Sequence, residues 1–235
     1  MRGLPGLMVL TLAAIGPASA GERPSPAVPA APAARVERHA VVHRGKGVTV
    51  RVPASAAYVG SKRFALYGVA DAEIHVFAEA DSKRRISRLY WIQFESYLPG
   101  RPEHRYDYSD NKRSELWGNV TWMTAGPRRT GGPGRSGSDG EQVTSLLARA
   151  GYTLPAEAMN IRLVQLLDDP RGTGRGRDEL MLIYGEDLAS TGKSLSELVE
   201  DGKTTPAWEP LERPLSARAA EAFRVERHKA GKRRR

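Results

Sequence analysis

The 235-residue chain has no cysteine. That excludes disulfides, a thiol nucleophile, cysteine-ligated zinc and iron–sulfur centres, and it leaves packing as the means of holding a fold together. Long apolar runs are missing too. The longest, Leu7 to Ile15, falls well short of the ~20 residues a membrane-spanning helix needs. No internal repeat, H-E-x-x-H zinc motif or G-x-S-x-G nucleophile elbow is present. With 40% hydrophobic and 27% charged residues, the remaining composition is that of an ordinary globular protein of one domain, or at most two.

The first residues, "MRGLPGLMVLTLAAIGPASA", combine an early cation (Arg2), the apolar run and a small-residue A-S-A ending at Ala20. This is the three-part layout of a secretory signal peptide. The expectation is an exported protein, periplasmic or secreted, with residues 1–20 removed and no transmembrane segment left. Export without cysteine fits a bacterial envelope protein better than a disulfide-built secreted module. Residues 21–35, "GERPSPAVPAAPAAR", read as a Pro/Ala-rich linker.

The net charge of +9 is unevenly spread. Residues 226–235 carry six cations against one acid, and with Arg2 set aside the rest of the chain holds +3. The expectation is a nearly balanced domain over 36–225 with a basic, disordered tail at 226–235. Nucleic acid is therefore not the expected partner. An anionic polymer held by basic loops and the tail is an alternative, with Arg128, Arg129 and Arg135 in one Gly-rich loop and Arg171, Arg175 and Arg177 in another acting as a clamp if the loops converge.

Short β-branched and aromatic runs predict successive strands at 36–43, around 48–52 and around 63–79, the last pair meeting in a tight turn at Asp71-Ala72. A charged turn at Asp81–Arg85 leads to the strand "ISRLYWIQFES". Residues 99–140 are polar and end in "GPRRTGGPGRSGSDG", too Gly-rich for a packed element. Glu141–Ala150 has helical periodicity with Gly151 as its stop. "NIRLVQLL" and "ELMLIYGED" form a hairpin with a long basic tip. "SLSELVED" and "PLSARAAEAFRV" read as helices, the latter opening at Pro214. The predicted class is α+β: a largely antiparallel sheet with a few helices in a single compact domain.

Several motifs fail on context. "TGKS" at 191–194 lacks the P-loop glycine five residues before Gly192, where Asp187 stands, and Ser194 with Glu197 reads as a helix-capping box. Ser190-Thr191-Gly192-Lys193 and Ser109-Asp110-Asn111 resemble pieces of the serine acyl-enzyme set, but in the wrong order. His104, Asp107, Asp110 and Glu115 supply metal-ligand types without a metal-site spacing. His75 reads as a hydrogen-bonded strand residue. No stretch carries a full family signature, and no cofactor, metal or catalytic residue is implied.

What remains is a polarity gradient. Along the aromatic strand Tyr90, Ile92 and Phe94 point one way, while Trp91, Gln93 and Glu95 point the other and turn polar. The expected ligand site is a cleft edge with Trp91 as apolar wall, Gln93 and Glu95 as hydrogen-bonding groups, and His104, Arg105, Tyr106 and Asp107 as a mobile lip. Its expected partner is a small polar or anionic ligand or an envelope protein. The alternative is an envelope hydrolase using Glu95 as general base with His104 or Asp107.

Overall fold

A computed structural model describes residues 31–132 and 135–228; the expected leader, most of the linker and residues 229–235 of the tail lie outside the described residues. The strands are β1 (Arg35–Glu37), β2 (Ala40–His43), β3 (Val48–Arg51), β4 (Ala57–Leu66), β5 (Ala70–Ala80), β6 (Ile86–Tyr97), β7 (Tyr106–Asp107), β8 (Lys112–Leu116) and β9 (Asn119–Arg129). Helix α1 (Asp139–Arg149) precedes β10 (Glu157–Leu166), β11 (Arg175–Gly176) and β12 (Asp178–Asp187). The chain closes with α2 (Leu195–Leu198), β13 (Val199–Glu200), β14 (Lys203–Thr204), α3 (Glu209–Ala222) and β15 (Arg224–Arg227).

Seven strands form one sheet in the order β4-β5-β6-β12-β10-β9-β8, and four form a second in the order β1-β2-β3-β15. Every strand pairing within both is antiparallel, so the α+β expectation holds. Among the described residues no helix is long and apolar enough to cross a membrane.

The core face of the large sheet presents Tyr90, Ile92 and Phe94 with Leu163, Leu180 and Leu182, packed against Val41, Val48 and Val50 of the small sheet and Leu215, Ala219 and Phe223 at α3. Ile92 is fully buried there, and truncating it to alanine costs ~2–5 kcal/mol through lost transfer energy and the cavity left behind. The outer face carries Ile74, Val76, Trp91, Val164, Met181 and Ile183, covered in part by Val143 and Leu147 of α1. Ser138 caps α1 by accepting from Glu141 N, and Gly151 beyond it adopts φ 75°, the expected stop.

Four local expectations are corrected. The β4–β5 turn lies at Tyr67-Gly68, with φ of 49° and 68°, while Asp71 and Ala72 sit inside β5. The connection is three residues, Tyr67-Gly68-Val69, closed by Val69 N donating to Leu66 O at 3.0 Å, and its first two residues are left-handed. Gly126-Pro127-Arg128-Arg129 are not loop: they end β9 and pair with β10, so the polar 99–140 stretch contributes two strands to the main sheet. Helix α3 begins at Glu209, with Pro210 in its first turn and Pro214 inside it. Residues 224–227 form β15 rather than helix, so the domain reaches past 225 and takes in the first residues assigned to the tail.

At the other end of the domain Ala33 and Ala34, within the assigned linker, donate backbone N–H groups to Glu73 at 2.6 and 2.8 Å. The capping box at Ser194 and Glu197 forms as expected.

Candidate functional site

Directly paired residues on neighbouring strands share a face, so the register sorts the outer face into transverse rungs. Trp91, Ile183, Arg162 and Thr124 make one rung across β6, β12, β10 and β9. The rung on one side is Leu89, Gly185, Asn160 and Gly126; that on the other is Gln93, Met181, Val164 and Trp122. Over these rungs lies an open groove of about 420 Å³, walled by Asp139 and Gly140 at the start of α1. Gly126 deepens it, because a Cβ built there would meet nothing within 4 Å.

Two guanidiniums line the groove, those of Arg128 and Arg162. Neither is within ion-pair distance of an acid among the described residues. Burial pushes the Arg128 pKa down, opposed by the charge of Asp139, the one acid in the lining. The Asn160 amide, turned to satisfy both of its ends, accepts from Arg128 Nε at 2.7 Å and donates to Met159 O at 3.0 Å. Arg162 lies 5.6 Å from the ring centre of Tyr108. The floor is thus apolar at Trp91, Met181 and Ile183 and cationic at two points.

A polar chain runs away from this floor. Trp91 Nε1 donates to Gln93 Oε1 at 3.0 Å, and Gln93 Nε2 donates to Glu95 Oε2 at 2.7 Å. Tyr106 closes the chain, its hydroxyl donating to Glu95 Oε1 at 2.6 Å. Directly across the strand boundary from Glu95 stands Glu179, whose Oε2 accepts from Tyr108 at 2.8 Å. Glu95 is 6% exposed and Glu179 2%.

Two carboxyls this close and this dry do not both ionise. Burial first, and then the Glu95 charge, push Glu179 up to about 8; burial also raises Glu95 against its bonds from Tyr106 and Gln93. Arg162 pulls both down and Asp139 pushes both up.

The expected site residues therefore divide. Trp91, Gln93, Glu95 and Tyr106 come together in one hydrogen-bonded chain, but Gln93 at 0% and Glu95 at 6% exposure are buried, with the Tyr106 hydroxyl closing on Glu95, rather than set at an open cleft edge. His104 and Asp107 stand apart from Glu95. His104 Nδ1 is 2.7 Å from a Glu103 carboxylate oxygen and its ring packs on Tyr97, while Asp107 accepts from Ser109 and from Arg175 Nε at 2.9 Å. Arg105 is exposed. The expected lip is clasped by Arg177, whose Nη1 donates to the carbonyls of Arg101, Pro102 and His104.

The pairing that the hydrolase alternative needs, Glu95 with His104 or Asp107, is thus not made. Among the described residues no three His, Asp or Glu side chains gather as metal ligands. The two basic loops do not converge either: Arg128 pairs with Ala158 at one end of β10, and Arg175 and Arg177 flank the opposite end near Glu179 and Leu166. Eight residues of extended chain separate those ends, ~27 Å.

A second cavity, of about 510 Å³, is lined by His43, Lys46, Arg63, Asp71, Glu73 and Ser96. Its charges are matched among themselves. Arg63 binds Asp71 through two bonds at 2.8 and 2.5 Å, Lys46 bridges Ser96 and Asp178, and Glu73 accepts from Ala33, Ala34 and His75. Ser96 Oγ donates to Asp178 at 2.7 Å and accepts from Lys46 at 2.6 Å, and the Asp178 carboxylate that it faces is itself bound by the Lys46 ammonium.

Sequence reasoning missed Arg162 and Glu179. The alternation in "DELMLIYGED" puts Glu179 on one face with Met181 and Ile183 and was a usable signal; that Glu179 faces Glu95, or that Arg162 shares a rung with Trp91, depends on register. No family model, curated protein or solved structure matches the chain.

Proposed function

We infer that the protein is an exported, non-catalytic binding domain whose outer-face groove takes an organic anion with an apolar body. The observation that carries this reading is the pairing of Arg128 and Arg162, free of acid partners among the described residues, with the apolar floor of Trp91, Met181 and Ile183 in one groove. A guanidinium beside an apolar surface holds a carboxylate, sulfonate or phosphate by charge-assisted, two-point bonds while the rest of the ligand leaves water. The buried pair of Glu95 and Glu179 is not in the groove lining, so it supports the electrostatics of Arg162 rather than acid–base work on a ligand. The exported location rests on the leader-like start of the chain.

The test is calorimetric titration of decanoate and of decanol into the mature chain. Decanoate is expected to bind saturably and decanol far more weakly. Arg128→Ala and Arg162→Ala should each weaken decanoate by about tenfold or more, the worth of one charge-assisted bond. Gly126→Leu, which fills the groove at a position with ordinary backbone, should abolish binding with the thermal midpoint kept. Equal affinity for decanol, or decanoate binding that survives Gly126→Leu, overturns the reading.

A further inference from the structure

We propose that a second, independent site at the β8–β9 end of the large sheet takes an acidic saccharide through a uronic-acid residue. The place is a cavity of about 420 Å³ between the β8–β9 hairpin, the end of β10 and the loop after it. Three cations from separate elements line it: Arg113 of β8, Arg171 of the loop and Arg227 of β15. None is within ion-pair distance of an acid among the described residues.

Arg227 is set against this rim by a long bond from Nη2 to Leu167 O at 3.4 Å. The loop that presents Arg171 is tied by Asp169, which accepts from Thr173 Oγ1 at 3.1 Å and Gly174 N at 2.8 Å. The structure thus gathers Arg171 with Arg113 and Arg227 instead of with the Arg128 loop that sequence reasoning set against it.

Cations alone would name only an anion. A second observation narrows the ligand: Gln165, 2% exposed, lines the same cavity, gives its Nε2 to Thr121 Oγ1 at 3.1 Å and leaves its Oε1 without a partner. A buried acceptor left empty asks for a donor. Asn119 lines the cavity as well, and because its Nδ2 donates to Trp117 O at 2.8 Å, its carbonyl oxygen remains to accept; Glu115 adds an exposed carboxylate.

Guanidiniums matched to a carboxylate, beside acceptors matched to hydroxyl groups, describe a hydroxylated acid, which is what a uronic-acid residue offers. Single-stranded nucleic acid fits less well. No aromatic side chain lines the cavity to stack on a base. The site does not depend on the outer-face groove.

Trigalacturonate, maltotriose and a single-stranded DNA dodecamer are titrated into the mature chain, into an Arg171→Gln/Arg227→Gln variant and into a chain lacking residues 229–235. Saturable binding of trigalacturonate, lost by about tenfold or more in the double variant and by about twofold or less in the truncation, with maltotriose silent, supports the site. The two arginines are exposed, so an unchanged thermal midpoint is expected in the double variant. Gly126→Leu should leave this binding intact, which separates its fate from that of the groove. Absence of saturable trigalacturonate binding, an equal response to maltotriose or to the dodecamer, or a loss confined to the truncation overturns it.

Discussion

Glu73 on the core face and the Glu95–Glu179 pair on the outer face belong to the same sheet and are similarly hidden from water, yet their acidities move in opposite directions. Burial raises a carboxyl in both places. At Glu73 the bond from His75 and the two from the Ala33 and Ala34 amides more than offset it, and the group stays ionised below the usual carboxylate range. At Glu179 the neighbour across the strand is another acid and the main donor is a tyrosine hydroxyl, so burial prevails. The donor set, not depth, decides which buried glutamate keeps its charge. Glu73 thereby fastens the incoming chain to the sheet, while burial and the facing acid push the outer pair toward its protonated form.

The largest effect expected from breaking this contrast is at Glu73. Glu73→Ala strands two backbone donors and a buried histidine, and urea denaturation should show a loss of ~3 kcal/mol or more. A loss within ~0.5 kcal/mol would mean that the amide contacts do not hold.

Next comes pH. Glu179, at about 8 when folded, holds a proton that the unfolded chain has released above its ordinary value, so stability falls as pH rises from about 4.5 to about 8. Its steepest slope is about 1.4 kcal/mol per pH unit. Glu73 acts in the other direction: its contribution is present above about 4.5 and is lost as pH falls through its lowered folded value. Glu179→Gln should flatten the alkaline limb of a midpoint-versus-pH curve and spare the acid limb; an unchanged alkaline limb would contradict the pair. The smallest change is Tyr106→Phe, which removes the cap on Glu95 Oε1 and should cost ~1–2 kcal/mol, read in the same urea titration.

Much of the architecture was legible because periodicity reports faces. The alternation over Leu89–Glu95 sorted core from outer residues, and α1 and the β10–β12 hairpin followed from pattern and turn residues. The errors lie where one residue's backbone overrules its type. Tyr67 and Trp117 both take left-handed φ at the first position of their hairpin turns, where Asn or Asp is the usual signal. Gly126-Pro127 reads as loop but ends a strand.

The site was legible only in part. Of the expected residues Trp91 lines the groove, while Gln93, Glu95 and Tyr106 form the buried chain beside it; their burial and the places of Arg162 and Glu179 follow from strand register, which short apolar runs do not announce.

The groove's role is tested most directly by following the arginine side-chain Nε–Hε signals in NMR spectra during a decanoate titration. The account predicts that Arg128 and Arg162 shift together with one saturation curve while Arg113, Arg171 and Arg227 stay in place. Saturable binding that leaves Arg128 and Arg162 unmoved would contradict it.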